Sequence, residues 1–450
     1  MIASSDDPET LRAIFRAEMA ALISSPPARL AVAVSGGSDS LALTLLADDW
    51  ARQRGAELIA LTVDHSLRPE SATEAADLQG WLRARGIDTH ILVWRGPHPQ
   101  SGVQQAAREA RYALMAEACR KKRISHLLLG HQLEDQLETF LMRLSKGSGL
   151  DGLAAMERRR EWEGLTLLRP LLGVSRDALR QYLVARGQPW IEDPSNENPR
   201  YTRTRVGAVR RELERLPGSS QDCLALALRR LQRANDGLDE YARRILTTEV
   251  RISPFGSLSV DDDILRAAPQ EVALRVLAAS MRAVGGGAPL RLQAIEDIYA
   301  RLMPGDPPKA PRCATLGGAE VRRSSAGWQF FREAGRRGLP ETEMREGETV
   351  WTWDQRFIIR DSEPAKDRGG NLRLRALGAA GGRLARAQGL LPQGAVMTAR
   401  ERNNLPGIWQ GDALVAVPVP DAAGGRTASE KPRFRLHFRA FHWIPPSDSC

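Results

Sequence analysis

Two rhythms of apolar positions run through the first third of the chain. Short apolar runs closed by glycine or polar residues alternate with longer stretches whose apolar positions fall three and four apart. Leu30–Ser35, LAVAVS, is the first such run and predicts a buried strand; the stretch from Leu41, closed by Gly55, predicts a helix. The pattern repeats: a strand over Ala56–Ser66, a helix over Ser71–Gly86, a strand over Asp88–Trp94, a helix over Val103–Arg123, a strand over Ser125–Gln132 and a helix over Leu133–Gly147. Ahead of them Asp7-Pro8 reads as the capped start of another helix. Strands alternating with helices of this length predict an α/β, doubly wound, Rossmann-like parallel sheet. In such sheets ligands lie beyond the carboxyl ends of the strands, where Ser35, Asp64 and Gly130-His131 are expected to converge.

After Leu150 the rhythm changes. Residues 151–215 extend the first domain and include the polar loop EDPSNENPRYTRTR. Residues 216–335 are mainly helical, with a hairpin at RISPFGSLSV and strand-like alternation from Arg312 to Glu333. Residues 345–450 carry further strands, such as TVWTWDQRFIIRD, DALVAVPVP and RFRLHFRAFHWI, and predict a small β-rich domain. The expected order is therefore a catalytic domain over 1–215, a helical middle domain over 216–335 and a C-terminal domain over 345–450.

Composition adds little to the fold and more to the partners. The chain has 450 residues, is 42% hydrophobic and carries a formal net charge of +9, a balance that favours polyanionic partners. Its four cysteines are far apart and form no CxxC pair, which excludes a zinc finger, an iron–sulfur cluster and a disulfide framework on spacing. No apolar run approaches the ~20 residues of a membrane span, and the acidic first residues do not read as a signal peptide. A cytoplasmic location is expected.

Chemistry concentrates in Ser35-Gly36-Gly37-Ser38-Asp39-Ser40, between the first strand and the first sheet helix. The helix start offers unpaired amide groups and a partial positive charge. Gly36 and Gly37 let an anion approach the backbone, and Ser35, Ser38 and Ser40 add hydroxyls. The loop lacks the lysine of a Walker loop. Asp39 repels phosphate unless Mg²⁺ bridges the two, so it is the expected metal ligand. Asp64 at the second strand's end is expected on the metal or the nucleotide ribose. Arg111 is expected on a phosphate, through its fork geometry, and His65 stays undecided between structure and site.

SGGSDS resembles the signature loop of the PP-loop ATP pyrophosphatases. With VDHSLRPES, ARYALM, GHQLEDQLETFLMRLSKGSGLDGLAAM, RPLLGVSRDALRQYL and WIEDPSNENPRYTRTR, the chain resembles the tRNA(Ile)-lysidine synthetases, densely over residues 30–205, with LPGIWQGDALVAVP fitting their C-terminal domain. The resemblance implies that ATP and Mg²⁺ adenylate the wobble cytidine of an isoleucine tRNA with a CAU anticodon, and that L-lysine then displaces AMP. It implies a lysine site at Asp135 and Glu138. If the helix begins at the strand's end, His131, Asp135 and Glu138 fall at i, i+4 and i+7 on one face, and a carboxylate there can take the amine's proton. Arg203 is expected to stabilise the adenylate or hold the anticodon backbone, together with Arg200 and Arg205.

One departure stands out. The family places Asn where this chain has Thr204 and an arginine where it has Gly207, with Arg210 and Arg211 one turn later as the available replacements. Residues 365–402, rich in arginine and glycine, suit a backbone-tracking tRNA surface. Trp409, Phe438, Phe441 and Trp443 can stack on bases, but sheet core is their expected use. A tRNA thiolase needs cysteines this chain lacks, and a small-molecule amidating enzyme needs no arginine loop. A non-catalytic binding module leaves Asp39, Asp135 and Glu138 without purpose.

Overall fold

The computed structural model describes residues 7–64, 71–95, 103–162, 164–192, 202–335, 338–345, 347–362, 371–391, 396–420 and 434–440. The chain forms two compact units, residues 1–235 and 236–450.

In the first unit α1 (Pro8–Leu22) starts on Asp7, whose carboxylate accepts from the amides of Glu9 and Thr10, with Pro8 in the first turn. Next come β1 (Arg29–Ala33), α2 (Ser38–Arg54), β2 (Glu57–Asp64), α3 (Ser71–Ala84), β3 (Asp88–Val93), α4 (Val103–Lys121), β4 (His126–Leu128) and α5 (Leu133–Leu144). Gly55 closes α2 in the left-handed region, at φ +66°. Then follow the short α6 (Leu150–Leu153), β5 (Arg159–Trp162), β6 (Leu165–Leu168), α7 (Arg176–Ala185) and α8 (Thr202–Glu214). The strands order as β3-β2-β1-β4-β6-β5. All neighbours run parallel except the edge pair β5–β6. The doubly wound sheet is thus as expected, with a hairpin, β5–β6, added at one edge.

Two cores flank this sheet. Leu30, Val32, Leu128 and Leu168 face one side, against α1, α2 and α7. Ala31, Leu127, Leu129 and Leu167 face the other, with Tyr112 and Met115 of α4. This in-out alternation of strand residues buries both faces, as a parallel sheet requires. The chain reverses direction through the sheet between β1 and β4, the topological switch point where such folds bind ligands.

The second unit is mainly antiparallel. The long α9 (Gln221–Thr248) leads into it, followed by β7 (Arg251–Ile252), β8 (Leu258–Val260), α10 (Asp262–Ala267), α11 (Gln270–Gly285) and α12 (Leu292–Leu302). Its first sheet adds β9 (Arg312–Leu316), β10 (Ala319–Ser324) and β11 (Gly327–Arg332) to the predicted hairpin β7–β8. Two four-stranded sheets follow between Thr342 and Phe438. The Gly/Ala-biased stretch from Gly378 to Ala387 is a helix, and it packs so closely that a Cβ on Gly381 would stand 2.8 Å from the Trp409 ring. Trp409 and Phe438 are buried core, as expected; Phe441 and Trp443 lie outside the described residues.

What positions the site is the contact between the end of β4 and the start of α2. A Cβ on Gly130, just beyond β4, would stand 3.1 Å from the Cα of Ser40 and 3.2 Å from its amide nitrogen. The β4 end therefore presses on the first turn of α2 with no room for a side chain. Gly130→Ala is expected to cost about 1–3 kcal/mol through overpacking and to disturb the loop. Gly80→Ala, at an exposed α3 position with open space, is expected to add about 0.4–1 kcal/mol. Urea melts of the two variants check the contrast; equal effects would mean the Gly130 contact relaxes freely.

Candidate active site

Ser35 to Ser40 lie between β1 and α2, as the alternation predicts. Gly36 has φ +86°, and a Cβ there would meet the Ile191 side chain at 2.6 Å, so only glycine fits. Its carbonyl accepts from the Ile191 amide at 2.9 Å, which ties the loop to the segment after α7. Gly37 is the N-cap of α2 and supplies no side-chain cap. The Ser40 hydroxyl accepts from the Ser35 amide (3.1 Å) and donates to the Gly37 carbonyl (3.0 Å). These bonds hold the turn open around an uncapped helix N-terminus, a backbone cradle for an anion.

Asp39 stands in the first turn of α2, its Oδ1 accepting from the Ser38 hydroxyl at 3.1 Å and its Oδ2 lying 3.4 Å from Nε of Arg176. Burial raises its pKa; Arg176 opposes the rise and the negative charge of Asp135 adds to it. Two coupled carboxylates beside an anion cradle are a donor set that fits Mg²⁺, a cation usually held by one or two carboxylates, phosphates and water. Among the described residues no cluster of three or more His, Cys, Asp or Glu makes a self-sufficient metal site. Asp64 is buried at the end of β2, and its Oδ1 accepts from the Ser71 hydroxyl at 2.7 Å.

The start of α5 differs from the one-face expectation. The helix begins at Leu133, not at the strand's end, because Gln132 is its N-cap. The Gln132 side chain accepts from the Asp135 amide at 3.3 Å, and the Asp135 carboxylate accepts from the Gln132 amide at 3.1 Å, a reciprocal capping box. Asp135 and Glu138 do share a helix face. His131 lies outside the helix and does not join them.

Arg203, in the first turn of α8, bridges the two acids. Its Nη2 donates to Asp135 Oδ1 at 2.7 Å and its Nε to Glu138 Oε2 at 3.1 Å. Burial pushes the Glu138 carboxyl upward, and Arg203 pulls it back. Arg176 lies among the same acids: burial opposes its charge, but Asp39, Asp135, Glu134 and Glu138 outweigh it and raise its pKa. Arg205 is exposed. Arg210 turns to Glu214, whereas Nη1 of Arg211 lies 3.7 Å from where a Gly207 Cβ would be. His65, Asp193, Asn196 and Arg200 lie outside the described residues.

His131 has cationic company instead. Burial first, then the charges of Arg169, Arg203, Arg108 and Arg111, push its pKa down to about 3. Burial also lowers the pKa of Arg111 and of Arg169. The buried Nδ1 of His131 and the Nε atoms of Arg111 and Arg169 have no hydrogen-bond partner among the described residues. Open guanidinium donors such as those of Arg111 and Arg169 can hold an anion. Arg169, Arg176 and Gln132 were not singled out from the sequence. Arg169 follows the apolar run LTLL directly, so recognising β6 as a strand would have placed it at a carboxyl end like Ser35 and His131.

A neutral, buried His131 has a pH signature. Between about 3 and the ~6.5 of an unfolded histidine the unfolded chain binds a proton that the folded site refuses. The stability carried by the neutral ring is therefore full above ~6.5 and is lost as pH falls toward the folded value. Urea midpoints are expected to drop between about pH 7 and about pH 5, and to drop less in His131→Asn. An equal drop in both would remove His131 as the source.

A family model described as a PP-loop domain matches residues 11–215. Among curated relatives, the tRNA(Ile)-lysidine synthase of Ruegeria pomeroyi is 36% identical over 431 residues, which span 95% of this chain and 95% of the relative. That of Bradyrhizobium diazoefficiens is 38% identical over 335 residues, 72% of this chain and 92% of the relative. That of Anaplasma marginale is 35% identical over 333 residues, 73% of this chain and 70% of the relative. With an ATP-binding loop built as the fold requires and likeness over nearly the whole of both chains, this protein belongs to the tRNA(Ile)-lysidine synthase family of PP-loop enzymes.

Proposed function

We propose that the enzyme joins the ε-amine of L-lysine to the 2-position of the wobble cytidine of tRNA(Ile) with a CAU anticodon, through an adenylated tRNA. The observation that carries this reading is the adjacency of an anion cradle and an acidic pair that already grips a cationic side chain. The cradle at Ser35–Ser40 receives the phosphates of ATP. Arg111 and Arg169, with His131 as a neutral partner, face the negative charge that develops when the cytidine 2-oxygen attacks the α-phosphorus and pyrophosphate leaves. Asp39, with Asp135 beside it, would hold Mg²⁺, which supplies charge neutralisation for the departing phosphates. Asp64 is assigned to orienting the nucleotide, where Ser71 fixes its carboxylate.

In the second half-reaction Asp135 and Glu138 bind the ε-ammonium. An amine of pKa ~10.4 must lose a proton before it attacks, and Glu138, whose burial favours its protonated form, accepts it. The nitrogen then bonds to C2 as the C2–O bond to AMP breaks. Arg203, Arg205 and Arg211 lie on the α8 side, where the anticodon backbone is expected. In the second unit, Arg383 and Arg386 project from an exposed helix face suited to tRNA phosphates. No helix among the described residues is long and apolar enough to cross a membrane, and the reading needs none; its place is the cytoplasm.

The test is mass analysis of tRNA(Ile) with a CAU anticodon after incubation with the enzyme, ATP, Mg²⁺ and lysine. A lysine-sized addition at the wobble cytidine is expected, with pyrophosphate released only when the tRNA is present. Pyrophosphate release with a small acid and no tRNA would overturn the substrate assignment. Asp39→Ala is expected to slow pyrophosphate release ~10²–10³-fold or more; near-normal turnover would remove Asp39 from the metal site.

A further inference from the structure

We propose that Arg203 is an internal occupant of the lysine site, holding the place of the ε-ammonium between Asp135 and Glu138 until nucleotide binding draws it away. The proposal rests on the reading of those two carboxylates as the lysine site.

The geometry is that of a guest and not of a permanent strut. Arg203 makes its two ion pairs, at 2.7 and 3.1 Å, with the two acids the amine needs. The acids are nearly buried, at 13% and 10% side-chain exposure, whereas the Arg203 side chain is 47% exposed. An exposed donor can leave for water without itself being stranded; the acids cannot lose it without a replacement cation, because unpaired buried carboxylates are costly. A lysine ammonium is such a replacement. The first turn of α8 also lets Arg203 reorient without unwinding the helix behind it.

A destination exists. Arg203 already lies close enough to His131 and Arg111 for its charge to be felt at both. That basic side holds Arg108, Arg111 and Arg169 and has buried nitrogens without hydrogen-bond partners among the described residues. While it holds no anion it repels Arg203, which stays on the acids. A phosphate seated there reverses the sign of that force and pulls Arg203 over. Nucleotide on one side thereby opens the other to lysine, so the amine is admitted after the activating phosphates are in place. Lysine and nucleotide are then coupled, and the coupling must be reciprocal.

Lysine affinity is measured by calorimetry on the full chain, with and without an α,β-methylene ATP analogue and Mg²⁺. In the unaltered protein the analogue is expected to tighten lysine binding by about tenfold, and lysine to tighten the analogue equally. Arg203→Gln is expected to bind lysine about tenfold more tightly without nucleotide, ~1.4 kcal/mol, and to lose the analogue's effect. Arg203→Lys should fall between the two. Free guanidinium at low millimolar concentration should compete with lysine in Arg203→Gln more strongly than in the unaltered protein. Glu138→Gln separates the two ideas. If it weakens lysine binding while Arg203→Gln leaves affinity unchanged or lower, the lysine site stands and the placeholder is overturned. If Glu138→Gln leaves lysine binding intact, the underlying lysine-site reading fails. An analogue without effect on lysine in the unaltered protein overturns the placeholder regardless of how the variants fold.

Discussion

Two carboxylates held close together away from water need a cation, and the site is organised around that need. Asp135 and Glu138 share one face of α5, and Asp39 approaches from α2. Burial raises the pKa of Asp39 and of Glu138, and the negative charge of Asp135 adds to both. Arg176 from α7 and Arg203 from α8 restore the balance, one beside Asp39 and one across the α5 pair. The two arginines thus fix where α7 and α8 approach the sheet, and removing either leaves negative charge without compensation in a half-dry pocket.

The basic residues stand apart from these acids. Arg108 and Arg111 come from α4 and Arg169 from the end of β6; burial first, and then their charges with that of Arg203, keep His131 neutral. The site is therefore divided into an acidic half and a basic half that meet at the switch point between β1 and β4. An ammonium is repelled from the basic half and a phosphate from the acidic one. The proposed reaction, which joins an amine to a phosphate-activated carbon, needs both halves within one residue's reach. Parallel topology supplies this: β1, β4 and β6 are adjacent and end on the same edge, so the cradle, His131 and Arg169 are brought together from positions far apart in the chain.

Much of this was legible in the sequence because each legible part is local. A strand run, SGG and a following helix define the cradle within a dozen residues, and Asp135 and Glu138 need only helical spacing. What stayed hidden depends on neighbours that no local pattern records. The helix carrying the acids starts at Leu133, where the apolar pattern puts it, but Gln132 caps it there, so His131 stays outside the helix and falls in the basic half instead of on the acidic face. The hairpin β5–β6 has no local signature, because RRREW is too polar and LTLL too short to read as strands. With β6 went Arg169. Arg176 looks like an ordinary first-turn arginine behind the Ser175 cap, and only the fold places four carboxylates around it.

Gly207 ties the chain's departure from its family to this charge balance. Glycine inside a helix costs about 1 kcal/mol relative to alanine, so its presence in α8 asks for a reason. A Cβ there would stand 3.1 Å from Oε1 of Glu138, the oxygen that Arg203 leaves free. Gly207 is one helical turn beyond Arg203 and on the same face. The absence of a side chain lets α8 settle against α5 closely enough for a single guanidinium to reach both acids. Arg211, a further turn along, brings its Nη1 to 3.7 Å from where that Cβ would stand, so a guanidinium lies beside the position at which the resemblance leads one to expect an arginine. The bare backbone of Gly207 and the guanidinium of Arg211 thus stand together beside Glu138 Oε1, and the charge balance of the acidic pair is set by α8 at two successive turns.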